Sequence, residues 1–222
     1  MSRTALLSFG VAGIALGQTP FANLYWEVND GSGWTRTQLT TTQQNVQVRL
    51  SAEWGGSSAS WFGGTNFDAV IHTVDGNDNV SNMTRPPPFD FGFTWNPAVF
   101  RQGNMIKLDD SRDLDAPGMG AYWLDCGQGN GVFGDPIDTS NPAIIFRFDL
   151  QFTEIAGNRE INSVHRSLSG PPPYNALLWT NDGRAIRVQA EMIAIDVMYV
   201  PAPGCMALLT TAACVASRRR RM

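Results

Sequence analysis

The chain is poor in the residues that most enzymatic chemistry uses. Its 222 residues include two histidines, His72 and His165, three cysteines and a single lysine, Lys107. Cys205 and Cys214 fall in a C-terminal apolar stretch, so the body of the chain keeps only Cys126 and cannot form an internal disulfide. That removes the class of small domains built on a disulfide scaffold. A lone cysteine of this kind reads as a small buried hydrophobe rather than a nucleophile. No Gly-x-Ser-x-Gly, His-Glu-x-x-His, Cys-x-x-Cys or Walker-type phosphate loop occurs, so hydrolase, metalloprotease, thiol-redox and P-loop nucleotide-binding readings lack their signatures. The paired acids of a glycosidase have no fixed spacing, and none stands out here. Positive charge is scarce as well: 16 basic residues face 20 acidic ones, a net charge of −4. Setting aside Arg3 and the four arginines near the C-terminus leaves eleven basic side chains and a net charge near −9. An acidic body of this kind argues against nucleic acid as a partner, because phosphate contacts need a basic face.

What is present is strand pattern. In residues 46–54, Val46, Val48, Leu50, Ala52 and Trp54 alternate with Gln47, Arg49, Ser51 and Glu53. Residues 146–153 and 186–191 alternate in the same way. A period of two places one face on a core and the other in water. Residues 24–28, 66–74, 91–95, 105–108, 122–126, 177–180 and 192–200 are further strand candidates. Turn residues separate them at 29–33, 75–79, 127–134 and 181–183, and Asn181-Asp182-Gly183 between two strand runs predicts a hairpin. Two triple-proline segments, at 86–88 and 171–173, cannot occupy central strands and read as stiff crossing loops. Outside the termini no long stretch has helical periodicity. The expectation is an all-β domain over 18–199, a single antiparallel β-sandwich of jelly-roll or similar type.

The two ends carry address-like patterns. Met1-Ser2-Arg3-Thr4 is followed by an uncharged, largely apolar run and by the small residues Ala15 and Gly17, the pattern of a secretory signal peptide over 1–17. At the other end, Val200-Pro201-Ala202-Pro203-Gly204 precedes an uncharged stretch, 205–217, and then Arg218, Arg219, Arg220 and Arg221. A spanning helix needs about 20 apolar residues, so this segment is a marginal anchor, suited to transient insertion. The arginines resist crossing and would keep the tail end cytoplasmic. A permanent C-terminal anchor and an ordinary basic tail are the plainer alternatives.

On these residues the segment 200–222 resembles the PEP-CTERM sorting signal of exosortase-bearing bacteria, in a planctomycete-type form with Ala202 at the place of the usual glutamate. The resemblance implies transit through the export machinery, transient inner-membrane insertion, cleavage by an exosortase-like membrane protease, and release to the cell surface or extracellular matrix. Possible company there is exopolysaccharide or other matrix proteins. The strands at 46–54, 66–70 and 143–152 also resemble the cohesin and carbohydrate-binding sandwich group, which implies architecture only.

Candidate binding residues follow from chemistry. Of seven tryptophans, Trp54, Trp95 and Trp123 sit in strand-like runs and read as core. Trp34 and Trp61 lie in glycine- and serine-rich surroundings and are the candidates for exposed glycan contacts. Two oxygen-rich segments could hold calcium: one through Asp75, Asn77 and Asn79, the other through Asp109, Asp110, Asp113 and Asp115. Neither has EF-hand spacing, and Asp and Asn also populate turns for local reasons. No catalytic residues and no obligatory cofactor are expected. The leading expectation is a non-catalytic structural or adhesive protein, then a secreted carbohydrate-binding module, then a secreted hydrolase.

Overall fold

The computed structural model describes residues 18–91, 95–111, 124–132, 134–164 and 174–202. The signal-peptide segment, Trp123, His165, Asp113, Asp115, Pro203, Gly204 and Arg218 to Arg221 lie outside the described residues. Among the described residues fourteen strands are present and no helix of four or more residues occurs.

One sheet has the order β13-β1-β3-β9-β5, built from β1 (Phe21–Asn29), β3 (Asn45–Gly55), β5 (Asn79–Thr84), β9 (Ala143–Gln151) and β13 (Glu191–Ile193). The other follows β12-β11-β4-β10-β14-β2. It uses β2 (Leu39–Thr41), β4 (Trp61–His72), β10 (Gly157–Val164), β11 (Ala176–Trp179), β12 (Ala185–Val188) and β14 (Ile195–Tyr199). Three more strands join its flank: β6 (Pro97–Gln102), β7 (Met105–Asp110) and β8 (Leu124–Gly127). Pairing is antiparallel except at two short edges, where β13 runs parallel to β1 and β2 parallel to β14. The sandwich expected from sequence is therefore correct, with two parallel edge pairs added.

The alternating residues do what their period requires. Leu24, Trp26 and Val28 of β1, Val48 and Leu50 of β3, and Phe146 and Phe148 of β9 are buried between the sheets. They meet Phe67, Ala69 and Ile71 of β4 from the opposite sheet. Phe146 is the hub, with edge-to-face contacts to Trp26, Phe67 and Trp95 at 6.2, 5.5 and 5.8 Å. Such pairs add about 1 kcal/mol each beyond the area they bury. The expected hairpin is present: β11 and β12 pair around a turn in which Gly183 has φ +77°.

β4 is the organising strand. Its first half pairs with β8 on one side and β11 on the other. Its second half pairs with β7 and β10. The change of partners falls at Asp68: β8 pairing ends at Phe67↔Leu124 and β7 pairing starts at Ala69↔Leu108. The sheet thus forks at a buried aspartate.

Candidate functional sites

The outer face of the five-stranded sheet carries a charge cluster beneath a folded-back loop. Because Leu24, Trp26 and Val28 face the core, Tyr25 and Glu27 must point outward. Residues 30–38 then return over them, held by reciprocal backbone bonds between Val28 and Thr35 at 3.1 and 3.0 Å. Under this loop Arg49 Nε donates to Glu27 Oε2 at 2.7 Å and Ser51 Oγ donates to the same oxygen at 2.6 Å. Arg36 lies over the Tyr25 ring at 3.7 Å, and Arg49 over the Trp34 ring at 4.0 Å. Burial alone would raise the Glu27 carboxyl. The hydrogen bonds from Arg49 and Ser51 and the two arginine charges outweigh it, so the group lies below its ordinary value. Burial pushes the Tyr25 hydroxyl up to about 12.

The tryptophan expectation divides here. Trp34 is half-buried, one ring face taken by Arg49. Trp61 is not an exposed loop residue, and that expectation is corrected: it opens β4 opposite Trp179 and is only 6% exposed. The physical reason is that Gly63 and Gly64 are strand positions rather than loop glycines. A Cβ on Gly63 would strike the Trp179 indole, and one on Gly64 would strike the Cys126 carbonyl oxygen. Trp54 is core as expected, and Trp95 is half-buried against the core, on Phe146 and under the Arg85 guanidinium. Cys126 is buried and its thiol is pushed up by that burial. His72 ends β4 on the exposed side.

The two oxygen-rich segments part ways: 75–78 is a turn, as its residues predict, whereas 109–110 is strand. Asp75 accepts from the Asn77 backbone N–H at 3.0 Å and from its Nδ2 at 3.2 Å. This is an Asx turn, and the Asn77 N–H holds the Asp75 carboxyl below its ordinary value. Asn79 already belongs to β5. Asp109 and Asp110 close β7 and are each 2% exposed, so they are strand positions and not a solvated turn. Among the described residues no group of three or more His, Cys, Asp or Glu side chains is arranged to hold a metal ion.

Asp109 belongs instead to a cluster at the fork of β4. Lys107 Nζ lies 2.8 Å from Asp68 Oδ2 and 2.5 Å from Asp109 Oδ2. The side chains of Asp68, Asp109 and Lys107 are 1%, 3% and 29% exposed. Burial, reinforced by Asp109, pushes the Asp68 carboxyl up to about 8 against the opposing pull of Lys107. Burial would lower the lysine, but hydrogen bonding to Asp109 and Asp68 leaves it above its ordinary value. Sequence reasoning read Asp109 as a loop ligand and gave Asp68 and Lys107 no role. The one signal available was that the chain's single lysine sits two residues before an acidic pair.

An open cleft of about 380 Å³ lies at one end of the five-stranded sheet, with more apolar than polar surface in its lining. Asn29 and Asp30 after β1, Asn45 and Gln47 of β3, Ser81 of β5, and Asp149 and Gln151 of β9 line it. Side-chain amides offer both donors and acceptors, the complement of a hydroxyl-rich ligand. Asp149 is held from the rim by Asn82 Nδ2 at 2.6 Å. These residues all lie on outward strand positions or turns, and sequence alternation alone did not bring them together.

No protein-family model matches the chain, and no curated protein matches it by sequence. Among solved structures the chain is similar to cohesin modules. The seventh ScaB type I cohesin of Pseudobacteroides cellulosolvens is 9% identical, with a TM-score of 0.42, over 82% of this chain and 94% of that one. The cohesin module of a Clostridium perfringens family 33 glycoside hydrolase is 11% identical, with a TM-score of 0.41, over 83% and 100%. A non-cellulosomal cohesin from Archaeoglobus fulgidus is 11% identical, with a TM-score of 0.38, over 81% and 91%. The architecture itself rests on the strand pairings given above.

Proposed function

We propose that this chain is an exported cell-surface or extracellular-matrix protein with a non-catalytic structural or adhesive role, sorted through its C-terminal signal by an exosortase-like membrane protease. The observation that carries the reading is the order of the tail: Val200-Pro201-Ala202-Pro203-Gly204, an uncharged apolar segment, and four arginines. The fold is compatible with such handling. β14 ends at Tyr199, and the Val200 N–H makes a bond to the Thr41 carbonyl at 2.9 Å. Val200 is 45% exposed and Ala202 is exposed, so the motif starts where β14 ends. Intact mass of the protein from the membrane, surface and medium fractions of its host tests this. A product ending between Pro201 and Gly204 outside the membrane is expected. A full-length C-terminus retained in the membrane would make the segment 205–217 a permanent anchor and overturn the sorting reading.

The amide and carboxylate side chains along this cleft favour a second reading, a carbohydrate-binding module. Here the contacts come from Gln47, Asp149 and their neighbours, with Trp34 as the remaining aromatic candidate. Retention on the host's own exopolysaccharide should fall in a Gln47→Ala, Asp149→Ala double variant. Unchanged retention, or none in the wild type, would remove this reading.

A further inference from the structure

We propose that Lys107 and Asp68 form an intramolecular amide cross-link between β7 and β4, assisted by Asp109, on the geometry of an amine held between two buried carboxyl groups. The inference stands on these three residues and does not depend on the sorting reading.

The composition first makes the site unusual. Fifteen of the 16 basic residues are arginine, and the chain's single lysine is the one placed here. If the role were only to neutralise two acids, a guanidinium fork would serve, since arginine pairs with carboxylates in a fixed bidentate geometry. Arginine cannot act as a nucleophile at an acyl carbon, whereas a lysine amine can. The amine is well placed: Nζ lies 2.8 Å from Asp68 Oδ2, one bond from the carbon it would attack.

Asp68 has the properties of the electrophile. Its side chain is 1% exposed, and its Oδ1 is buried with no hydrogen-bond partner. A buried carboxyl beside a second acid favours the neutral form, and a neutral carboxylic acid is the form an amine attacks. Asp109 has the position of the base. Its Oδ2 is 2.5 Å from Nζ, within the reach general-base catalysis requires. Backbone pairing fixes all three: Ala69 faces Leu108, so Asp68 and Asp109 stand opposite each other and Lys107 lies diagonally across. Holding reactants in this way replaces a bimolecular encounter with a unimolecular step, worth effective concentrations on the order of 10⁵ M or more.

The reaction balances without any outside reagent. The Lys107 ammonium gives a proton to the Asp109 carboxylate. The freed amine attacks Asp68 Cγ, forming the N–C bond. Breaking one C–O bond of Asp68 releases the hydroxyl, which leaves as water with a second proton from the nitrogen. The products are the amide, one water, and Asp109 in its acid form.

The test is a tryptic peptide map of the full wild-type chain, denatured after folding. The expected result is a branched species joining the peptide that contains Asp68 to the one that contains Lys107, lighter than their sum by one water. Two separate, unmodified peptides, or a bond from Lys107 to Asp109, would overturn the proposal. Lys107→Arg should give only separate peptides. Asp68→Asn provides a chemical signature, because the same attack on a carboxamide releases ammonia, so the mass deficit should change from one water to one ammonia. A deficit that stays at one water in Asp68→Asn would show that Asp68 is not the electrophile.

Discussion

Arg159 and Asp78 form an ion pair in which neither side chain reaches solvent: Nε to Oδ2 is 2.8 Å and Nη2 to Oδ1 is 3.1 Å. The pair sits where β5 begins and β10 enters the other sheet. Its remaining hydrogen-bonding capacity is used locally. Arg159 Nη1 donates to the carbonyls of Ile155 and Gly157, and Asp78 Oδ1 accepts from the Thr153 N–H. Phe152 and Tyr199, stacked at 5.0 Å, flank the guanidinium. Replacing both members with apolar residues can be neutral, whereas removing one leaves a buried charge without its counterion. Asp78→Ala and Arg159→Leu should each lower unfolding free energy by about 3–5 kcal/mol, read from urea denaturation. A double variant close to wild type would show that the pair adds little net stability and that the cost of each single variant is the charge left unpaired.

Glu27 predicts a pH dependence with a definite sign. Its folded pKa is depressed below the ordinary 4.5, so its contribution is complete above that value and is lost as pH falls through the folded pKa. At pH 7 Glu27→Gln should cost about 2 kcal/mol, as hydrogen bonds to a charged acceptor do. The gap between variant and wild type should narrow in strongly acidic buffer. An unchanged gap at both pH values would mean that packing, not the carboxylate, is what Glu27 supplies.

The tryptophans give a ranking. Trp61 is 6% exposed and packs in the core with Ala176, Leu178 and Trp54 as fellow members. Trp61→Ala should cost about 3–5 kcal/mol, the usual loss for a large buried aromatic. Trp34 is half-buried with one face on Arg49, and Trp34→Ala should cost about 1 kcal/mol. Guanidinium denaturation of both variants checks the order, and a reversed order would return Trp61 to the surface.

Much of the sandwich was legible because its core strands alternate cleanly. The pattern over 46–54 became β3 over Asn45–Gly55 with the expected inward face. β10 was missed for a physical reason: its inward residues are Arg159 and Ile161, so a charged residue occupies a core position and cancels the apolar signal. β5 was missed because only Val80 of its six residues is buried. The beginning of β4 was hidden by Gly63 and Gly64, which are needed for the close approach of Trp179 and Cys126. The sites were less legible still. Sequence spacing placed Asp109 in an acidic run, but only the register of β7 against β4 brings it to Asp68. The lining residues of the cleft come from four separated segments, and no local pattern joins them.

Calcium provides the last prediction, because the strand assignments have already engaged several of its candidate ligands. Asp75 is satisfied by Asn77, Asp109 by Lys107, and Asp78, which lies between Asn77 and Asn79, by Arg159. A calcium ion takes six to eight oxygen ligands, so binding at these residues would first have to break bonds that hold β5 and β7 in place. Millimolar calcium should therefore leave the melting temperature unchanged, and a chelator should do the same. A chelator-induced drop that disappears in Asp75→Asn would establish a site in the 75–79 turn. A drop that disappears in Asp110→Asn would instead establish one in the 109–115 segment. Either result would mean that the local hydrogen bonds yield to the ion, since ligand bound only by the folded state raises stability in proportion to the logarithm of its excess.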